Sequence, residues 1–449
     1  MGAPQDELHR GFGLSTTTYV VIASMVGVGI LTTSGYIIKD TASHTMMLGL
    51  WLLGGVLALC GALTVAELAA AMPYAGGEYV FIREAYGSMW AFLYGWVSFV
   101  IGFSAPAAIA AHGAAMYLLA PWLGDDSTPI ATRGLAVLIV LVFTGVHLRG
   151  QAAGSRAQDL STIAKLVPLL AIAVGGFVLG RGDLQHLKPD VPAGPVPWAP
   201  LGISLVYVMF SYSGWNAATY LAGEVKDPGR ILPRALLLGC GGVIGLYIVL
   251  NLVYVYALPV AELTAMSSRQ VEPIAALAAN RLFGRWVAAP FSICIGLGLL
   301  ATVSAYVLIG PRVYYAMARD GLFPAAAGRI SPRTGVPAVA ILAQAACSLV
   351  LLFTGAFKDI LTYTGVGLSV SSFFVILAVF VLRIRRPDMP RPFRTTAYPI
   401  TPLLFLACTA WMIVFAFRSQ PHWSTISIGT ILGGVPLYFV WKTVGAHRN

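Results

Sequence analysis

The chain is a succession of apolar runs, each long enough to cross a bilayer, joined by short polar links. The runs lie at about 14–38, 45–71, 88–119, 131–148, 159–180, 198–223, 234–257, 286–317, 336–355, 359–383, 399–417 and 424–442. A spanning helix needs roughly 20 apolar residues, and in hydrocarbon every backbone polar group must find a partner within the protein. An all-α polytopic membrane protein of about 12 transmembrane helices is expected. Charged residues make up only 10% of the 449, against about a quarter in soluble domains. The net charge of +10 is then loop charge, not a surface for nucleic acid. With the N-terminus placed inside, Lys and Arg favour the inner links two to one, so both termini are expected in the cytoplasm.

The first run carries Ser24-Met25-Val26-Gly27-Val28-Gly29-Ile30 at its centre. Glycine costs about 1 kcal/mol against alanine in a helix and lets the backbone leave helical geometry. Alone, the stretch reads equally as a packing seam of small residues or as a broken helix. The sixth run holds a second interruption, Phe210-Ser211-Tyr212-Ser213-Gly214-Trp215-Asn216. Counting five runs per unit, each break falls in the first run of its unit. An odd number of spans inverts the second unit relative to the first. Paired interruptions at matching positions point to an inverted-repeat transporter with its site at the midplane. The expected organisation is a cytoplasmic segment 1–13, a five-helix repeat 14–181, an extended external connection 182–197 and an inverted repeat 198–384. A basic linker with two further helices and a short cytoplasmic C-terminus follows over 385–449.

A broken helix exposes amides with a positive dipole end on one side and carbonyls with a negative end on the other. Amides near Val28, Gly29 and Ile30 suit a carboxylate. Carbonyls near Ser24, Met25, Phe210 and Ser211 suit an ammonium group. A zwitterionic α-amino acid presents both charges, and neither break holds an acidic or basic side chain. The candidate substrate-binding residues are Met25, Gly27, Val28, Gly29, Ile30, Phe210, Ser211, Ser213 and Asn216. Phe210 and Trp215 are candidate gating aromatics, with helix packing as the plainer reading. The one cation not assigned to a link is Lys165. It either snorkels to the cytoplasmic surface or stands where a metal cation would otherwise bind, between the first break and the eighth run. Thr302 and Ser304 are candidates to face it.

Glu67, Glu78, Arg83, Glu84, Glu224, Lys226 and Asp227 sit at run ends, as solvated termini or as ion pairs closing an inner gate. Residues 383–394 are the most basic stretch and read as a linker. The five cysteines lie in apolar runs and read as buried small side chains, with no disulfide or metal spacing. The histidines (His9, His44, His112, His147, His186, His422, His447) are scattered. No catalytic cluster, metal site or cofactor is expected, and the chain is read as a carrier, not an enzyme.

Gly27-Val28-Gly29-Ile30, Ala66-Glu67-Leu68, Gly76-Gly77-Glu78-Tyr79, Glu84-Ala85-Tyr86-Gly87 and the sixth-run motif resemble the amino acid–polyamine–organocation superfamily. Within it they are most similar to the L-type amino acid transporters and the bacterial serine/threonine exchangers. Glu224 through Pro228, Leu232-Pro233-Arg234 and Gly310-Pro311-Arg312 through Arg319-Asp320-Gly321 also fit. The resemblance implies a LeuT-type 5+5 inverted repeat with helices 1 and 6 broken. It implies sodium-independent transport of a small or neutral amino acid by alternating access, through exchange or proton linkage. It assigns carboxylate binding to Val28 and Gly29, gating to Phe210 and the empty sodium position to Lys165. Two departures stand out. Val28 replaces a common serine, and Ser213 stands where glycine is common, which narrows the pocket. Animal relatives bond to a glycoprotein heavy chain through a cysteine that segment 120–133 lacks, so no such partner is expected. The alternatives are a polyamine or other organic-cation transporter and a non-transporting amino acid sensor on the same scaffold.

Overall fold

The computed structural model describes residues 11–74, 76–123, 129–190 and 195–446. Helices are α1 (Leu14–Met25), α2 (Gly29–Thr41), α3 (His44–Ala71), α4 (Glu78–Tyr86), α5 (Ser88–Val97), α6 (Ala105–Leu123), α7 (Pro129–Leu148), α8 (Gln151–Val178) and α9 (Trp198–Ser211). After α9 come α10 (Pro228–Ala257), α11 (Val260–Ala265), α12 (Ser268–Val271), α13 (Ile274–Phe283) and α14 (Arg285–Arg319). The chain closes with α15 (Ala338–Thr354), α16 (Phe357–Arg385), α17 (Ile400–Ser419) and α18 (Pro421–Ala446). Among the described residues there is no strand, and an isolated bridge pairs Phe12 with Val225. Among the described residues eight helices are long and apolar enough to cross a membrane, or nine if α1 and α2 form one bent span. The protein is an all-helical, polytopic integral membrane protein.

α2 and α9 are mostly buried. α10 packs on α1 and α3, while α14 packs on α6 and α8. α9 is held between α2, α16 and α17. α5 and α6 join through a π-helical turn, Ser98–Ser104. Such a turn frees carbonyls, and side chains take them up: Ser104 Oγ donates to Phe99 O at 2.6 Å and Ser348 Oγ to Ser104 O at 2.9 Å.

Several boundaries differ from the sequence-based expectation. α10 begins at Pro228, six residues early, because proline fits the first turn of a helix, where its missing N–H has no partner to lose. The link after α10 folds into α11, α12 and α13, with a Ser267–Gln270 capping box starting α12. The connection 182–197 was expected to be extended. Instead Asp183 caps a short 3₁₀ turn over Leu184–Leu187. Asp190 then accepts hydrogen bonds from Ser43 Oγ and the amides of His44 and Thr45 at 2.8–2.9 Å. Its Pro and Gly content hid these side-chain ties, and its residues 191–194 lie outside the described set. So do residues 1–10 of the N-terminal segment, 124–128 of the cysteine-free segment and 447–449 at the C-terminus. Cys240 is buried but Cys294 is exposed. An apolar helix in a bilayer can turn a side chain to lipid, so a place in an apolar run does not fix burial.

Candidate functional site

α1 stops at Met25 because Val26 turns to extended geometry (φ −74°, ψ 102°). α2 restarts at Gly29, and the two axes differ by 42°. The break strands the last carbonyls of α1, and side chains meet them. Lys165 Nζ donates to Ala23 O at 2.5 Å and to Val26 O at 2.6 Å. Tyr247 OH donates to Met25 O at 2.8 Å. Lys165 is only 4% exposed, so it does not snorkel. Its backbone approaches α14 so closely that a Cβ on Gly298 would lie 2.6 Å from Lys165 Cα. Across the break, no side chain caps the amide end of α2, and the amides of Val28, Gly29 and Ile30 donate to no backbone carbonyl outside a helix.

α9 ends at Ser211, followed by turns to a 3₁₀ segment, Ala217–Glu224. Gly214 has φ +98°, and a Cβ there would stand 2.7 Å from Ser24 O. Both facts demand glycine. At Gly29 a Cβ would lie 2.6 Å from Ser211 Cα, so the start of α2 rests directly on the end of α9. Thr33 Oγ1 and Ser211 Oγ are 3.0 Å apart, and Tyr247 OH also reaches Ser211 O at 3.3 Å. The two interruptions therefore touch, and one hydroxyl ties both.

Beside this contact lies a cavity of about 130 Å³. Phe210, Ser213, Trp215 and Asn216 line it from the second break, with Ala23 and Ser24 from the end of α1. Met25, Gly27, Val28, Gly29, Ile30 and Ser211 do not line it. All but Gly27 are buried behind its wall; Gly27 stays half-open, 3.8 Å (at its would-be Cβ) from Thr302 Cγ2. Val28 is enclosed against Gly113 of α6. Of the carbonyls considered for an ammonium group, those of Met25 and Ser211 accept from Tyr247 and that of Phe210 accepts from the Ser213 amide at 3.0 Å. Trp215 packs its ring on Phe405 (centroids 6.3 Å apart). Lys165 lines a separate void of about 10 Å³ with Val26, Gly27 and Leu31.

Thr302 and Ser304 do not share a partner. Ser304 Oγ is 2.9 Å from His147 Nε2 on α7, whereas Thr302 lines the cavity. Residues two apart on a helix point different ways, so they could not both face Lys165. Of the charged run ends, Lys226 and Asp227 are exposed, but others are paired. Glu67 is 1% exposed and bidentate with Arg383, at 2.9 and 2.6 Å. It also accepts from Thr395 N and Oγ1, at 2.7 and 2.8 Å. Arg83 meets Asp320 at 3.0 Å and Arg386 meets Glu84 at 2.7 Å. Glu78 enters the cavity wall, where its carboxylate accepts from the Tyr94 and Tyr220 hydroxyls. Reading by runs missed Tyr247, Glu78, Tyr94, Tyr220 and Tyr306 as site residues. A loop residue beside a Gly-Gly pair, as Glu78 is, was the one available signal that a loop folds back into the bundle.

Many apolar helices around two interrupted ones that meet at a small cavity make a membrane carrier of small solutes. Among the described residues no group of His, Cys, Asp and Glu could hold a metal ion. The chain belongs to the amino acid permease family, whose model matches residues 12–435. It is 30% identical to the serine/threonine exchanger SteT of Bacillus subtilis (strain 168) over 450 residues, covering 98% of this chain and 99% of the relative. It is 27% identical to the Homo sapiens large neutral amino acids transporter small subunit 2 over 440 residues, covering 96% and 80%. The Homo sapiens Asc-type amino acid transporter 1 is likewise 27% identical over 447 residues, covering 97% and 83%. The family and these relatives are transporters, not enzymes.

Proposed function

We propose that the chain is a sodium-independent transporter of small or neutral α-amino acids, working by alternating access as an exchanger or with protons. One observation carries this reading: two broken helices press together beside one cavity, with the Lys165 ammonium on the carbonyl end of the first. The Lys165 amino group takes the place at such an end that a bound metal would fill. The substrate carboxylate would approach the free amide end of α2 through half-open Gly27. Its ammonium would take the Ser24 carbonyl, and Phe210 would close over it. Ser213 trims the room for the side chain. Met25, Val28, Gly29, Ile30 and Ser211 would shape this site through their backbone, Asn216 would hold the second break, and Trp215 would support the gate.

The overall plan proposed is a LeuT-type 5+5 inverted repeat of twelve spans, in a plasma or inner membrane with both termini cytoplasmic. No disulfide-linked heavy chain is needed. The named substrates of the relatives support an amino acid cargo. One observation favours the second reading, an organic-cation or polyamine carrier: Glu78 brings into the cavity the carboxylate that neither break contains. A thermal-shift screen of the twenty amino acids on purified protein, followed by counterflow with each hit, separates the two. Stabilisation and counterflow by a neutral amino acid are expected. Stabilisation by putrescine or spermidine alone overturns the assignment.

A further inference from the structure

Glu78 is the one residue with an acidic or basic side chain among those lining the cavity. It is 3% exposed, on α4, a short helix that folds back into the bundle. Its two oxygens are treated unequally. Oε2 accepts the Tyr94 hydroxyl and, at 3.5 Å, that of Tyr220. These two hydroxyls lie 3.0 Å apart. Oε1 is buried without a partner. Among the described residues no cation faces it: α5 offers Tyr94, the second break offers Asn216 and Tyr220, α14 offers Tyr306 across the cavity, and α16, which also packs on α4, turns Arg383 to Glu67 and Arg385 to the Ala85 carbonyl. The charged neighbours on its own helix, Arg83 and Glu84, pair away from the cavity with Asp320 and Arg386. The other buried run-end carboxylate, Glu67, has two arginines and a threonine.

A buried charge without a counter-ion is among the costliest arrangements in a protein, and the group neutralises instead. Burial raises the Glu78 carboxyl above its ordinary range, and the opposing pull of the nearby Tyr94, Asn216 and Tyr220 donors does not offset it. We propose that Glu78 is a proton-binding site of this carrier, with the proton held on Oε1 at the cavity wall. This rests on the transport reading above. The carboxyl takes a proton from cavity water, forming an O–H bond at Oε1. When the cavity opens to the other face, that bond breaks and the proton passes to water there. The two tyrosine hydroxyls hold Oε2 in either state, so only Oε1 changes.

The test uses the full-length protein in vesicles loaded with a pH-indicating dye and a labelled neutral amino acid, diluted into medium without amino acid so that net efflux is read. Wild type is expected to move a proton out with each amino acid. In Glu78→Gln the ratio of protons to amino acids falls to zero, whatever the rate of efflux. Tyr220→Phe removes a donor that favours the charged carboxylate, so the pH midpoint of proton-linked flux moves upward. Proton flux retained in Glu78→Gln overturns the proposal, as does amino acid movement in wild type without protons. If Glu78→Gln is inactive, an unshifted midpoint in Tyr220→Phe overturns it. Inhibition by spermidine that disappears in Glu78→Gln overturns it too, by giving Oε1 to an organic cation. A wild type that exchanges no amino acid breaks the transport reading itself.

Discussion

The two helix breaks share only serine and glycine, and they are finished differently. At the first, the stranded carbonyls of Ala23, Met25 and Val26 already have donors in Lys165 and Tyr247. Its central residues Val28, Gly29 and Ile30 are buried. At the second, Phe210, Ser213, Trp215 and Asn216 line the cavity. The first break is thus a fixed electrostatic fitting and the second is the adjustable wall. Glycine marks both, but for different reasons: Gly29 lets two helices touch, whereas Gly214 lets the chain turn.

The sharpest way to break this contrast is Lys165→Ala. It strips the donor from two buried carbonyls, each worth about 1–3 kcal/mol when left unpaired. Counterflow should fall to background while gel filtration still shows a folded species. Full transport would mean that the first break does not need Lys165. Next comes Gly29→Ala, whose methyl would meet Ser211 backbone at 2.6 Å. Overpacking of this kind costs about 1–3 kcal/mol, so the thermal midpoint and the exchange rate should both drop. Gly49→Ala, with nothing within 4 Å, is the control and should be neutral. Ser213→Gly acts on the adjustable wall and is milder. Exchange should survive with preference shifted toward larger side chains, read by competition among amino acids.

The smallest effect lies far from both breaks, in the external connection. Partial burial pushes Asp190 up, but hydrogen bonds from Thr45, His44 and Ser43 outweigh it and hold its carboxyl below the usual range. The stability this gives is present above the usual carboxylate pKa of about 4 and is lost as pH falls below it. Asp190→Asn should flatten that part of the acid stability curve, measured by thermal shift, without changing counterflow at neutral pH.

The parts of this arrangement that were legible in the sequence are those where one residue violates its surroundings. Gly27 and Gly29 in an apolar run, Gly214 in another and Lys165 alone among aliphatics each carry a cost that a plain span would not bear. The helical class followed from run length alone. What was hidden depends on tertiary folding. Tyr247 is an ordinary aromatic in an apolar helix until α10 packs against both breaks. Glu67 and Glu78 looked like surface charges because burial of a loop end is not periodic. Arg383 looked like part of a linker, yet its guanidinium closes on Glu67, on a helix more than three hundred residues earlier in the chain. The 3₁₀ turn at Leu184–Leu187 needed Asp183, whose capping role is visible only once the chain turns.

The central claim is that backbone groups at the paired breaks read both charges of an α-amino acid. Counterflow of a labelled neutral amino acid, competed by its own N-acetyl and methyl-ester forms, tests it directly. Each blocked form should compete at least about tenfold less well than the free amino acid, a loss of about 1.4 kcal/mol. Equal competition by either blocked form, or stronger competition by putrescine, would contradict it.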